Sequence, residues 1–201
     1  AFKLHAPLRK KNQPLSSTNP MRALSYFVAI NALQKEETTQ FCNKLKDVLG
    51  EEKVLFIEEE AYFKCLKHLP LEKRQLQNVQ DPNFLDFELL TKHMDDLLFG
   101  RSVSLPKYDL SDFTRKLDYE YVLPRPIIVF SGTHLFEEEQ IEKKFNHKVF
   151  IHRKKHKLHD DKQKHSTLLK YKKISDQYIC EQDSDDKEIR TLCHKIISEI
   201  S

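Results

Sequence analysis

The residues from Asn31 to Thr39 read Asn-Ala-Leu-Gln-Lys-Glu-Glu-Thr-Thr, between an apolar run and an amphipathic one. A turn from a buried strand into a helix is where phosphate-binding loops are built. Such a loop uses glycines so that backbone N–H groups can wrap the phosphates. A lysine reaches the terminal phosphates and a hydroxyl holds magnesium. Here the setting is right and the contents differ: no glycine, two adjacent glutamates, a lysine at Lys35 and hydroxyls at Thr38 and Thr39. The whole chain has three glycines, Gly50, Gly100 and Gly132, so no second glycine-rich loop can be assembled elsewhere.

Two acidic triplets stand out, Glu58–Glu60 and Glu137–Glu139. Paired acids can hold a cation, but a solvated helix start is the commoner use, and acids suit a helix N-terminus electrostatically. The first triplet closes a strand, which makes Glu60 a candidate general base. His152, His156 and His159 are spaced i, i+4 and i+7 in a basic block from Lys148 to Lys173. Three imidazoles on one face could take zinc. The plainer reading is a solvated basic helix or loop, and we assign no metal. An anionic partner, RNA phosphate or lipid headgroup, is a further use of that block. Aromatic residues there are sparse, which weighs against stacking on single-stranded RNA. Cys42, Cys65, Cys180 and Cys193 lie far apart with no CxxC pair, so reduced thiols are expected rather than a disulfide framework. No Ser/His/Asp or Cys/His nucleophile pattern is present.

The chain's 201 residues allow one domain, with 39% apolar and 32% charged side chains. No run of about 18 apolar residues occurs, so no membrane-spanning helix is expected. The net charge of +3, from 34 basic and 31 acidic residues, is too even to imply nucleic acid. It is unevenly spread, since no acid precedes Glu36. Residues 1–24 read as a basic extension without periodicity, similar to a mitochondrial targeting remnant; a cytoplasmic tail is the alternative. We expect that extension to lie on another chain.

The rest is regular. Short β-rich runs are predicted at Ser25–Asn31, Lys53–Ile57, Tyr119–Leu123, Pro126–Phe130, Lys148–Ile151 and Gln177–Cys180. Helices are predicted at Glu36–Leu49, from Asp81-Pro82 to Gly100, and at Ser184–Ile200. Strands alternating with helices argue for an α/β fold with a mainly parallel sheet in three layers, α/β/α.

Within that frame the chain resembles the uridine kinase (uridine–cytidine kinase) family. The resemblance rests on Asp81–Leu90 (DPNFLDFELL), Phe99–Leu110 (FGRSVSLPKYDL), Thr114-Arg115-Lys116 and Ile127–Gly132 (IIVFSG). The family has a His-Pro-Asp segment, a Gly-Lys-x-Val-x-x-Pro-x-Tyr-Asp-Phe segment, a Ser-Arg-Lys and a Phe-Glu-Gly strand end in the same order. The resemblance covers about residues 25–151 and implies a P-loop-kinase-like domain over 25–201. It also implies ATP and magnesium as cofactors and a nucleoside as substrate.

Carried over residue by residue, most of that chemistry is missing. The family's phosphate-loop glycines fall on Ala32, Leu33 and Glu37, its lysine on Thr38 and its magnesium hydroxyl on Thr39. Asn31, Lys35, Thr38 and Thr39 are thus a vestigial loop. The catalytic aspartate falls on Glu60, the ribose aspartate on Gln80, the pocket histidine on Phe113 and the strand-end glutamate on Ser131. Tyr108, Asp109 and Arg115 remain from the substrate pocket. The lid is shortened to 148–173, where Arg153 is the only arginine. The resemblance therefore implies a degenerate kinase, with no cofactor expected, kept as a structural subunit among other protein chains. An ATP-dependent nucleoside kinase with an atypical loop is the alternative. With bulky Leu33 and Phe113 in place of smaller groups, the old cleft is expected to be closed, with both side chains buried.

Overall fold

The computed structural model describes residues 25–50, 52–153, 162–180 and 185–200. The basic extension, His156 and His159 lie outside them. Five strands form one parallel sheet: β1 (Tyr26–Ala32), β2 (Val54–Glu58), β5 (Ile127–Gly132), β6 (His147–Ile151) and β7 (Gln177–Ile179), in the order β2-β5-β1-β6-β7. Parallel strands covered on both faces read as continuous apolar runs. In β1, Phe27 and Ala29 enter one core while Val28, Ile30 and Ala32 enter the other.

The second of those cores is closed by α1 (Lys35–Leu49) and α6 (Asp185–Ile200), through Phe41, Leu45, Ile189, Leu192 and Ile196. The first is closed by α3 (Phe87–Leu98), through Leu90, Met94 and Leu97, and by Tyr171 of α5 (Lys162–Ile174). One-turn helices α2 (Leu71–Gln75) and α4 (Glu139–Glu142) complete the chain. The layers are therefore α/β/α, as the alternation predicted. None of the described helices is long and apolar enough to cross a membrane.

Two elements depart from the sequence reading. The third helix begins at Phe87, not at Asp81-Pro82, because Asp86 caps it by accepting the Leu89 N–H at 3.0 Å. Pro82 opens a separate 3₁₀ turn, Pro82–Phe84. The strand expected at Tyr119–Leu123 belongs to β4 (Thr114–Val122), which pairs antiparallel with β3 (Val103–Asp109) as a ribbon outside the main sheet. The turn between them holds Phe113 at φ 55°, left-handed backbone that a bulky residue adopts only under constraint. Its carbonyl accepts the Leu66 N–H at 2.9 Å, and its ring packs on the core.

Candidate functional site

A cleft of about 960 Å³ opens at the carboxyl ends of β1, β2 and β5. Ligand crevices in open α/β sheets lie at this position, where connections from a central strand diverge to either side. Lys35, Glu36, Thr38 and Thr39 of α1 form one wall, Glu58–Glu60 and Phe63 another, and Asn78–Asn83 a third. Gly132–His134, Glu137, His152 and Tyr171 close it. The expected collapse has not occurred: Leu33 is half-buried in the wall, and Phe113 is half-buried against the core. The charged rim explains this. Closing the cleft would strip water from Lys35, Glu36, Glu58 and Asp81, which costs more than covering two apolar side chains would gain.

At the start of α1, Gln34 is the N-cap and makes no capping hydrogen bond with its side chain. The Thr38 and Thr39 hydroxyls donate back to the Lys35 carbonyl, at 2.8 and 3.1 Å. Glu37 is buried and accepts the Arg153 N–H at 2.9 Å. Arg153 does not enter the cleft wall. Its guanidinium donates to both Asp185 oxygens, at 2.8 and 3.0 Å, and the pair is buried. The arginine that a shortened lid could have offered to a phosphate instead ties β6 to α6. Lys35 turns to Glu60, with which it is ion-paired, and lies 3.9 Å from Glu58.

The acid that the structure buries is Glu59, not Glu60. Its carboxylate accepts the Thr133 N–H at 2.7 Å, the Thr133 hydroxyl at 2.8 Å and the His134 N–H at 2.9 Å. His134 faces Glu59 through Nδ1 at 3.2 Å and the Gln80 carbonyl through Nε2 at 3.0 Å. The Thr133 hydroxyl also lies 3.0 Å from Nδ1 and donates its proton to Glu59, so both ring nitrogens face acceptors and a doubly protonated ring is favoured. Burial disfavours the imidazolium, but the Glu59 hydrogen bond and charge outweigh it and raise the His134 pKa. Burial likewise acts to raise Glu59, and its bonds from His134 and Thr133 outweigh that, lowering it. Sequence reasoning missed this pair: the acid triplet marked the neighbourhood of Glu59, and no motif singled out His134.

The residues that the resemblance assigned to a substrate pocket are bonded internally. The Tyr108 hydroxyl donates to the Lys64 carbonyl at 3.1 Å and its ring meets Phe63 edge-on. Asp109 caps the ribbon turn by accepting the Ser111 N–H at 2.9 Å. Arg115 donates to Asp86 at 2.9 Å and to the Phe63 carbonyl at 3.1 Å. Lys35, Thr38, Thr39 and Glu60 line the cleft; Asn31, Tyr108, Asp109 and Arg115 are not in its wall. Asn31 instead accepts the Leu135 N–H at 3.1 Å, joining β1 to the segment after β5. As donors for a magnesium-bound triphosphate these residues are a poor match: the cation is held by carboxylates, the hydroxyls by the helix backbone. Among the described residues no cluster of three His, Cys, Asp or Glu side chains is placed to hold a metal ion. His152 is buried at the end of β6, where its N–H donates to the Ile179 carbonyl at 2.9 Å. The four cysteines are free thiols, Cys42 and Cys193 buried.

Comparison with known proteins agrees with this placement. A Uridine kinase of Chloroflexus aurantiacus is 37% identical over 103 residues, 51% of this chain and 49% of that protein. A Uridine kinase of Aliivibrio salmonicida is 31% identical over 109 residues, 54% of this chain and 51% of that protein. The chain thus spans about half the length of the curated relatives it matches. The structure of a possible uridine kinase from Bacillus stearothermophilus superposes with a TM-score of 0.53 at 17% identity, covering 77% of this chain and 88% of that one, a likeness of fold. The Phosphoribulokinase / Uridine kinase family matches residues 29–185, most of the chain. With the parallel sheet, the cleft above β1 and this match in hand, the chain belongs to the phosphoribulokinase/uridine kinase family.

Proposed function

We propose that this chain is a family member that transfers no phosphoryl group, and that it serves as a structural or accessory subunit of a larger, mitochondrial assembly. The observation that carries the reading is the first turn. Lys35 is paired with Glu60, and the Thr38 and Thr39 hydroxyls are bonded to the Lys35 carbonyl. Phosphoryl transfer depends on positioning and charge stabilisation rather than on covalent chemistry by the protein. Losing one donor aimed at developing charge costs about 10²–10³ in rate. Here lysine, glycines and lid arginines are missing together. The acid-free, basic residues 1–24 support an assembly role and the compartment.

One observation favours a nucleoside kinase with an atypical loop instead: the cleft is open, with Glu60 and Thr39 in its wall. Incubating the protein with labelled ATP, magnesium and uridine or cytidine separates the two. The degenerate reading gives no nucleotide product above the protein-free control; turnover would establish the kinase. Sizing the protein from its native source tests the second half, with migration in a large complex as the expected result.

A further inference from the structure

The charge of the cleft is wrong for a nucleotide and right for a cation. Among the described residues six carboxylates line it, Glu36, Glu58, Glu59, Glu60, Asp81 and Glu137, against Lys35, Lys46 and no arginine. Half of these acids are spent internally. Glu59 is bonded to Thr133 and His134, and Glu60 is paired with Lys35. Glu137 accepts from Lys170 at 3.0 Å and from the Tyr171 hydroxyl. Lys46 is committed too, its ammonium 4.9 Å from the centre of the Phe56 ring. Glu36, Glu58 and Asp81 remain, one on each of three walls and all exposed. Among the described residues no cation lies within ion-pair distance of Glu36 or Asp81. Glu58 has Lys35 at 3.9 Å, already bound to Glu60. Apolar side chains share the cleft, among them Leu33, Val79, Pro82 and Leu110, the last 45% exposed.

We propose that the cleft is a docking socket for a basic, partly apolar peptide segment of a neighbouring protein subunit. A lysine or arginine of that segment meets Glu36, Glu58 and Asp81, and its apolar side chains cover Leu33, Val79 and Leu110. This occupant rests on the reading of the chain as a subunit that holds no nucleotide, and gives the chemistry of what it holds instead. Charge selects it. A triphosphate brought here meets three carboxylates with no spare cation beside them. An ammonium or guanidinium meets three acceptors and forms charge-assisted hydrogen bonds, the stronger kind. The planar guanidinium fork suits a carboxylate best. Size argues for a peptide over a small amine. A cleft of about 960 Å³ lies at the upper end of the range for small ligands and takes several side chains. The apolar surface beside the acids favours a cation with a leucine or phenylalanine next to it, since covering that surface removes it from water. A metal ion fits poorly, because among the described residues no three ligands converge.

Calorimetric titration of the full chain with three probes tests this. The first is a capped pentapeptide of leucine, arginine, phenylalanine, lysine and leucine. The second is its neutral analogue, with citrulline and glutamine for the two bases. The third is spermine. We expect saturable one-to-one binding of the basic peptide in the micromolar range, none of the neutral one, and spermine about tenfold weaker or worse. Glu36→Gln together with Glu58→Gln weakens the basic peptide about tenfold. Glu52→Gln together with Glu120→Gln removes the same charge outside the cleft wall and changes binding by less than about twofold. Leu110→Ser weakens binding and leaves its salt dependence as in the wild type. All five side chains are exposed, so the variants fold. No saturable binding of the basic peptide, equal loss in the two double variants, or a neutral peptide or spermine that binds as tightly would overturn the proposal. Magnesium-ATP, titrated separately, tells two failures apart. With neither peptide nor nucleotide bound, the docking socket alone falls; nucleotide that displaces the peptide overturns both the socket and the loss of the phosphate site.

Discussion

Lys35 and Glu60 form an ion pair across the mouth of the cleft, with Glu58 3.9 Å from the same ammonium. The lysine nearest the first turn thereby sits on the acid that the family resemblance would make a general base. Each neutralises the other where a substrate would have needed one of them free. The Lys35 side chain is 48% exposed, so solvent screens the pair and its worth is small. Lys35→Met is expected to lower stability by less than about 1 kcal/mol in low salt, and by less again in high salt. Urea unfolding at two ionic strengths checks this, and a loss insensitive to salt would contradict it.

At Gly132 the constraint is steric. A Cβ at that position would overlap the Glu59 carboxylate. Gly132→Ala must therefore push a buried, hydrogen-bonded charge off its partners. Overpacking costs about 1–3 kcal/mol and disrupting a buried charge network about 3–5, so a loss of about 3 kcal/mol is expected in denaturant unfolding. A near-neutral variant would mean that Glu59 has room to move.

The Glu59–His134 pair makes stability depend on pH in a defined way. The His134 pKa is raised in the folded protein above 6.5, so its contribution is full below 6.5 and is lost as pH rises through the folded value. The Glu59 pKa is lowered below 4.5, so its contribution is full above 4.5 and is lost as pH falls through the folded value. The pair contributes most between those limits. Compared with His134→Gln, the wild type should lead by the widest margin near pH 5–6, and the margin should shrink on going alkaline. A margin that grows above pH 7 would reverse the assignment of charge.

Much of the architecture was legible in the sequence because parallel strands are buried on both faces and read as nearly continuous apolar runs. Tyr26–Ala32 and Ile127–Gly132 are of that kind. The ribbon was legible only in part. Pro106 interrupts Val103–Asp109, and a strand that leaves the sheet carries no run long enough to reveal its partner. At the site, the triplet Glu58–Glu60 marked the right place but not the right acid. Which glutamate turns inward depends on the 3₁₀ turn at Glu59–Tyr62 and on donors from Thr133 and His134, more than seventy residues away. The cleft stays open because the hydration of its charged rim outweighs the volume added by Leu33 and Phe113, and that rim is assembled from segments far apart in the sequence.

Arg153 and Asp185 hold the far side of α1 in place, and Lys44 adds a contact to Asp185 at 3.3 Å. Removing one partner of a buried pair leaves the other charged and desolvated. With Lys44 left to compensate Asp185, Arg153→Met is expected to cost about 3 kcal/mol, the lower end of the range for breaking a buried pair, in denaturant unfolding. A change below about 1 kcal/mol, the range of exposed pairs, would show that solvent reaches Asp185 freely.

The claim that the family's phosphate site is lost rests on the turn from Asn31 to Thr39, and the most direct measurement is calorimetric titration of the purified protein with magnesium-ATP. With Lys35 held by Glu60, Thr38 and Thr39 bonded to their own helix and Glu36 at its mouth, no saturable heat is expected up to millimolar nucleotide. A saturable isotherm with a dissociation constant in the low micromolar range would contradict the claim and restore this chain to the active kinases.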